Sequence, residues 1–256
     1  MIAPGRARRP APPTETELDE CPFCEGREDR TPPETFRVGS EASWIVRVVP
    51  NLYPAFERQE VVVHTPRHVR TFAELTDEEI DGVATAWRKR TAAARREGFA
   101  YVHALVNEGR EAGASLPHTH SQLVWLREPP PAVADEHPEG IADLLSDDSL
   151  WLEQRDGVVA TVHRAGRLPY ELLIAPLEQD SGALEAALSL LRDAIASLRA
   201  LEGDVPWNAW LHAGPHWHVE VVPRLTVQAG VELGAGIAIN TVAPEEAAER
   251  LRAAIS

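Results

Sequence analysis

Residues 113–122 read Gly-Ala-Ser-Leu-Pro-His-Thr-His-Ser-Gln, and Leu-Val-Trp continues the run at 123–125. The apolar continuation predicts a β-strand, in which residues two apart point to the same face. His118, His120 and Gln122 would then lie side by side. In a helix, residues two apart would point roughly 200° apart around the axis, which would separate the two imidazoles. The pattern therefore favours a strand.

The small residues before the histidines suit a ligand that carries phosphate. Glycine and alanine let backbone N–H groups approach phosphate oxygens. An imidazole can attack phosphorus and leave again, because the phospho-imidazole is a short-lived, high-energy intermediate. A His-x-His pair alone is also common among packed or surface histidines, so the other motifs of the chain must decide.

Composition limits the class of protein. With 256 residues the chain can bury a large core, in one extended domain or in two fused small ones. No apolar run reaches about 18 residues, so we expect no membrane span. The formal net charge of −15, from 25 basic and 40 acidic residues, argues against a nucleic-acid partner.

The two cysteines form one Cys-Pro-Phe-Cys motif, Cys21 to Cys24. No cysteine is left for a disulfide framework, so a reducing cytoplasm is the expected compartment. A redox pair usually opens a helix after a buried strand, whereas charged residues flank this motif on both sides. We therefore favour half of a metal site, which needs two further ligands.

The order of predicted elements occurs twice. Strands at 44–50 and 59–64, a helix at 76–98 and strands at 99–106 and from 118 form one set. The second set has strands at 158–162 and 171–176, a helix at 182–201 and strands at 207–212 and 216–222. The helices are predicted from apolar residues at i, i+3, i+4 and i+7. We predict an α+β fold built from a duplicated module, with helices packed on one side of a mainly antiparallel sheet.

The domain boundaries follow from the tail and a proline-rich stretch. Residues 1–18 are rich in proline and charge and lack the apolar core of a secretion signal, so they predict a disordered tail. Prolines at 129–131 and 138 predict a linker between modules at 19–130 and 131–256. A final helix is predicted at 244–254.

Four motifs occur in an order that resembles a known family. They are the Cys-Pro-Phe-Cys motif, Thr-Pro-Pro-Glu at 31–34, Arg-Val-Val-Pro-Asn-Leu-Tyr-Pro-Ala at 47–55 and the block from Asn107 to Gln122. Together they resemble galactose-1-phosphate uridylyltransferases, a branch of the histidine-triad superfamily. The resemblance implies an enzyme that moves UMP from UDP-glucose to galactose-1-phosphate through a uridylyl-histidine, with ping-pong kinetics.

The resemblance also implies two metal sites. A zinc site would use Cys21, Cys24, His68 and His118; His64 competes with His68, which the Pro-x-His spacing favours. A second structural iron or zinc would use Glu136, His212, His216 and His218. The alternative for the second set is a group of packed, hydrogen-bonded histidines.

The remaining site residues follow from the same resemblance. It implies that His120 is the nucleophile and that Gln122 hydrogen-bonds the transferred phosphoryl group. Asn51 would contact the nucleotide, and Asn107 and Ser115 the phosphates. In segment 230–240, Glu232 and Asn240 would bind the sugar. Leu52 stands where the family has aspartate, and Thr119 where many members have proline.

Alternative functions stay open at this level. Resembling sequences can be ADP-sugar phosphorylases or adenylyltransferases, and other superfamily members hydrolyse nucleotide conjugates. A non-catalytic, zinc-stabilised nucleotide-binding module is the third class. Hydrolases of the superfamily carry a third histidine at the position of Gln122, so the glutamine favours transfer. The base, the acceptor and assembly into a homodimer are not determined by the sequence.

Overall fold

The computed structural model describes residues 20–178 and 183–254. The chain divides into two compact units, Met1–Ala134 and Asp135–Ser256. The predicted disordered tail, residues 1–18, and Gly182, the predicted start of a helix, lie outside the described residues. Within those ranges, no helix combines the length and hydrophobicity that a membrane crossing requires.

Over its described residues, 20–134, the first unit contains five antiparallel strands and one long helix. In chain order these are β1 (Phe36–Gly39), β2 (Trp44–Pro50), β3 (Arg58–Val63), α1 (Asp77–Arg96), β4 (Tyr101–Glu108) and β5 (His120–Leu126). The strands lie in the order β1-β2-β3-β5-β4. The short helix α2 (Pro131–Ala134) closes the unit.

The described part of the second unit, 135–178 and 183–254, contains five further antiparallel strands. Its elements are α3 (Pro138–Leu145), β6 (Trp151–Arg155), β7 (Val158–Val162), β8 (Leu172–Pro176), α4 (Leu184–Glu202), β9 (Trp207–His212), β10 (His218–Pro223), α5 (Gly230–Ala235) and α6 (Pro244–Ala254). The strands lie in the order β6-β7-β8-β10-β9.

The strand order of one unit corresponds to that of the other, and in each a long helix follows the third strand. The predicted α+β class with a mainly antiparallel sheet is confirmed. The shared order is what a duplicated module predicts.

Helix α1 begins at a capping box, packs against β1, β2 and β4, and reaches β5 through Trp87. The Thr76 hydroxyl accepts from the Glu79 amide, and the Glu79 carboxylate accepts from the Thr76 amide. Along the buried stripe of the helix, the Trp87 indole donates to the Ser121 hydroxyl at 2.9 Å. Because neighbouring residues of a strand point to opposite faces, His120 and Gln122 lie on the face of β5 away from α1.

The proline-rich stretch predicted as a linker contains α2 and α3, because proline is well tolerated in the first turn of a helix. The division between the two compact units, after Ala134, lies in this stretch. One local prediction was wrong: β5 starts at His120 and not at His118, which precedes it in a bend.

Candidate functional site

His120 is the buried first residue of β5. Its Nδ1 lies 2.8 Å from the carbonyl oxygen of His118. A carbonyl oxygen only accepts hydrogen bonds, so Nδ1 carries the hydrogen, and Nε2 of the neutral ring keeps its lone pair. The Phe23 ring packs edge-on against the imidazole, with centroids 5.4 Å apart. This geometry makes Nε2 the nitrogen that can act as a nucleophile.

Gln122 and Asn107 share the face of His120. Gln122 follows His120 by two residues in β5 and is opposite Val61 of β3 and Leu105 of β4. Asn107 lies two residues beyond Leu105, on the same face of β4. Both polar residues are half-buried, whereas residues on the opposite face of β4 are buried. One sheet face therefore presents an imidazole, a carboxamide from β5 and a carboxamide from β4.

Four predicted metal ligands meet beside this face. The ligand atoms of Cys21, Cys24, His68 and His118 all lie within 4.8 Å of one another. Nδ1 of His68 is 3.2 Å from Sγ of Cys24, and Nδ1 of His118 is 3.4 Å from Sγ of Cys21. Two thiolates with two imidazoles are a typical tetrahedral donor set. His64, the competitor of His68, lies outside this cluster, and its Nδ1 is 3.0 Å from the Thr119 hydroxyl.

The protonation states of the cluster suit a metal ion. Burial, with the neighbouring Cys21, raises the pKa of Cys24 to about 12, so a bound cation would be needed to keep this thiol ionised at neutral pH. Burial lowers the pKa of His118 to about 4, so its ring is neutral. Nε2 of His118 lies 3.0 Å from the Thr65 carbonyl oxygen and carries the hydrogen, which leaves the Nδ1 lone pair toward the sulfurs.

The start of α1 holds the segment that orients His118. The Thr65 hydroxyl donates to the Glu79 carboxylate, and Arg67 Nε donates to the same carboxylate at 3.0 Å. Burial opposes ionisation of Glu79, but these hydrogen bonds keep its pKa below the ordinary range. Glu79, in the first turn of α1, therefore anchors the loop whose Thr65 carbonyl orients the His118 imidazole.

A second cluster lies in the second unit. The ligand atoms of Glu136, His212, His218 and Glu220 lie within 4.8 Å of one another. Nδ1 of His212 is 2.6 Å from Oε1 of Glu136, and Nε2 of His218 is 3.4 Å from the same oxygen. Burial opposes protonation of His218, but Glu220, the His216 carbonyl and Glu136 raise its pKa overall. Two imidazoles and two carboxylates can hold a divalent metal or form ion pairs.

His216 differs from the predicted ligand set. It lies outside the cluster, and Glu220 occupies the fourth position. Nε2 of His216 is 3.0 Å from the Pro176 carbonyl oxygen, as Nε2 of His118 is from Thr65. Nδ1 of His218 is 2.9 Å from the His216 carbonyl oxygen, as Nδ1 of His120 is from His118. His218 and Glu220 thus correspond to His120 and Gln122 of the first unit.

The predicted substrate ligands occupy both units. Asn51 follows β2, and its side-chain oxygen accepts from the Tyr53 amide at 2.9 Å. Ser115 is half-buried in the loop between β4 and β5. In the second unit, Glu232 accepts from the Ala229 amide at 3.0 Å, and Asn240 donates to the Gly166 carbonyl oxygen at 3.1 Å.

The sequence interpretation missed Gln59 and Thr65. Gln59 donates to the side-chain oxygen of Gln122 at 2.7 Å, and Thr65 orients His118 as described. The alternation of β3 was the available signal for Gln59, because it places this residue on the face of Val61, which pairs with Gln122. For Thr65 the sequence contains no comparable signal, since its backbone carbonyl makes the contact.

The chain is similar to known proteins both in sequence and in fold. The model of the galactose-1-phosphate uridyl transferase N-terminal domain matches residues 54–130. ADP-glucose phosphorylase from Arabidopsis thaliana is 27% identical over 98% of this chain and 89% of its own length. Galactose-1-phosphate uridylyltransferase from Thermotoga maritima is 25% identical over 98% and 94%. The crystal structure of the Arabidopsis phosphorylase with bound ADP-glucose is 28% identical, has a TM-score of 0.82 and covers 97% of this chain and 93% of its own.

The fold and these relatives define an enzyme that transfers nucleotidyl groups. The matches extend over nearly the whole chain and include the family model across β3, α1, β4 and β5. Over residues 54–130 the chain matches the galactose-1-phosphate uridylyltransferase family, and the likeness to the relatives extends over nearly its whole length.

Substitutions in the Cys/His cluster test its capacity for metal. We expect Cys24→Ser and His68→Gln each to remove about one equivalent of bound metal and to lower the melting temperature by about 5 °C or more, because binding at such a site is coupled to folding. His64→Gln, four residues from His68, should retain the metal. Elemental analysis of the purified variants measures this, and full occupancy in Cys24→Ser would exclude the cluster as a metal site.

The second cluster predicts a different pair of outcomes. We expect Glu220→Gln to lower the metal content of the protein by about one equivalent, because it removes one of the two carboxylates among the four ligands. His216→Gln should leave the content unchanged, since His216 lies outside the cluster. Metal-to-protein ratios for both variants, with the Cys/His cluster as internal reference, distinguish the ligand sets. A loss in His216→Gln alone would restore the set expected from sequence.

Proposed function

We propose that the protein transfers a nucleoside monophosphate from a nucleoside diphosphate sugar to a phosphate-bearing acceptor through a covalent bond to His120. The hydrogen bond from Nδ1 of His120 to the His118 carbonyl carries the proposal. It leaves Nε2 unprotonated at the start of a rigid strand, where Gln122 and Asn107 share the same face. Holding the nucleophile in one orientation lowers the entropic cost of attack.

The two half-reactions exchange one bond each. Nε2 of His120 attacks the α-phosphorus, a P–N bond forms, and the P–O bond to the bridging oxygen breaks. The sugar-1-phosphate leaves as an anion and needs little protonation. An oxygen of the acceptor phosphate then forms a new P–O bond at the same phosphorus, and the P–N bond breaks to restore His120. Asn107 and Ser115 are the proposed phosphate ligands, and Asn51 the nucleotide ligand.

Gln122 has the chemistry that transfer between phosphates needs. A carboxamide donates a hydrogen bond to a phosphoryl oxygen but has no group that titrates near neutral pH. A third histidine at this position, as in the hydrolases of the superfamily that the sequence resembles, could shuttle a proton for attack by water. The glutamine therefore supports a phosphate acceptor over water.

The metal proposals concern stability and orientation. We assign zinc to Cys21, Cys24, His68 and His118, where a bound ion would clamp the segment that precedes β5. His118 is the residue that links this cluster to the nucleophile, because its carbonyl holds His120. For Glu136, His212, His218 and Glu220 we propose a structural iron or zinc. Glu220 stands where the first unit has the neutral Gln122, and its carboxylate disfavours a second site for phosphate.

Two substrate pairs are supported by different observations. ADP-glucose with inorganic phosphate as acceptor is supported by the likeness to the Arabidopsis phosphorylase, whose structure holds ADP-glucose. UDP-glucose with galactose-1-phosphate is supported by the ordered motifs, the family model and the Thermotoga relative. For either sugar, Glu232 and Asn240 are the proposed ligands of the hydroxyl groups.

Labelling with the donor alone tests the covalent step. We expect protein incubated with donor labelled in the α-phosphate to retain label on His120, because no acceptor is present to complete the exchange. His120→Gly should keep the fold and lose transfer by about 10⁴-fold or more. His137→Ala, which changes an exposed histidine, is the control.

The same assay identifies the substrate pair when it is run with ADP-glucose and with UDP-glucose. Release of the label is then followed with inorganic phosphate and with galactose-1-phosphate. Label on no histidine, with activity retained in His120→Gly, would contradict the covalent mechanism for both pairs.

A further inference from the structure

We propose that Gln59 is a positioning residue that sets the orientation of the Gln122 amide during nucleotidyl transfer. This inference rests on the proposed function, since it assigns Gln122 as a donor to the transferred phosphoryl group. Gln59 lies on β3 and is 8% exposed. Both polar atoms of its side chain are engaged: Nε2 donates to Oε1 of Gln122 at 2.7 Å, and Oε1 accepts from the Ala55 amide at 2.9 Å.

The hydrogen bond from the Ala55 amide fixes the orientation of the Gln59 carboxamide and, through it, that of the Gln122 carboxamide. A backbone N–H only donates, so the oxygen of Gln59 must face Ala55, and its NH₂ group must face Gln122. Gln122 then has to present its oxygen to Gln59. Its own NH₂ group is left for another acceptor, and within the described part of the chain the Gln122 side chain has no second hydrogen bond. One backbone amide thus determines the orientation of two side chains in series.

The orientation matters because the transferred group is an anion. A carboxamide that presents NH₂ attracts a phosphoryl oxygen, whereas a flipped carboxamide presents its own partially negative oxygen. A terminal amide can rotate between these orientations when no partner distinguishes them. Gln59 supplies that distinction, so the donor is already aimed where negative charge develops in the transition state.

The same contacts connect Gln122 to the segment between β2 and β3. The Asn51 amide donates to the Gln59 carbonyl oxygen at 2.8 Å, and the Asn51 side chain accepts from Tyr53. Ala55 lies four residues after Asn51 in this segment. A change in the segment that carries the proposed nucleotide ligand would therefore reach the amide of Gln122 through Gln59.

A double-mutant cycle tests the proposal. Gln59→Met keeps the side-chain length and removes both hydrogen bonds. We expect it to lower kcat for nucleotidylation of His120 by about tenfold to a hundredfold, with less than about a threefold change in KM, because the lost contact acts in the transition state. In a Gln122→Met background, Gln59→Met should lower kcat by less than about twofold, since its effect passes through Gln122.

Gln59→Glu provides a second variant if Gln59→Met fails to fold. It keeps an oxygen for the Ala55 amide but cannot donate to Gln122 when ionised, so Gln122 would turn its NH₂ group toward the introduced carboxylate. We expect a loss of kcat at least as large as in Gln59→Met, and again a smaller loss in the Gln122→Met background. A residue that only supports the fold would instead be rescued by the retained Ala55 contact. Gln154→Met, an exposed glutamine of β6, is the matched control.

The outcomes separate this inference from the proposed function. Labelling of His120 in the unaltered protein is measured first, and its absence would defeat the proposed function. If His120 is labelled, an equal loss of kcat from Gln59→Met in the unaltered protein and in the Gln122→Met background would overturn the positioning role of Gln59. An unchanged kcat in a folded Gln59→Met or Gln59→Glu variant would overturn it as well.

Discussion

Two hydrogen bonds to backbone carbonyls decide what the site histidines can do. Nε2 of His118 donates a hydrogen bond to the Thr65 carbonyl oxygen. Nδ1 of His120 donates one to the His118 carbonyl oxygen. The first hydrogen bond leaves the Nδ1 lone pair of His118 facing the cysteines. The second leaves Nε2 of His120 as the nitrogen proposed to attack phosphorus. A residue that faces the metal cluster thereby orients the nucleophile through its backbone, two positions along the chain.

The surrounding structure serves to hold these two carbonyls in place. Glu79 caps α1 and binds the side chains of Thr65 and Arg67, so the helix start anchors the loop before His68. Trp87 binds Ser121 from the opposite face of β5. Because α1 lies on the opposite face of the sheet, the face that carries His120 also carries the polar residues Gln122 and Asn107. Catalytic groups placed on a strand backed by a helix keep their geometry better than groups on loops.

Part of this arrangement could be predicted from the sequence. The alternation of a strand predicted a shared face for His120 and Gln122. Cys-x-x-Cys indicated half of a metal site, and the resemblance to a known family supplied His68 and His118, which the structure brings together with the cysteines. Gln59 and Glu220 were not predicted as partners, because their contacts depend on strand register between distant segments. His118 was placed on the strand because alternation continues through it, whereas its side chain turns to the cysteines.

The tautomer of His120 is the most direct test of this account. Nitrogen-15 NMR of the imidazoles, with the His120 signals assigned by their loss in His120→Gly, reports which ring nitrogen carries the hydrogen. The carbonyl contact predicts that Nδ1 carries the hydrogen of the neutral ring, so that the lone pair lies on Nε2. A ring protonated at Nε2 would contradict the account, since the nitrogen assigned to attack phosphorus would then have no lone pair to offer.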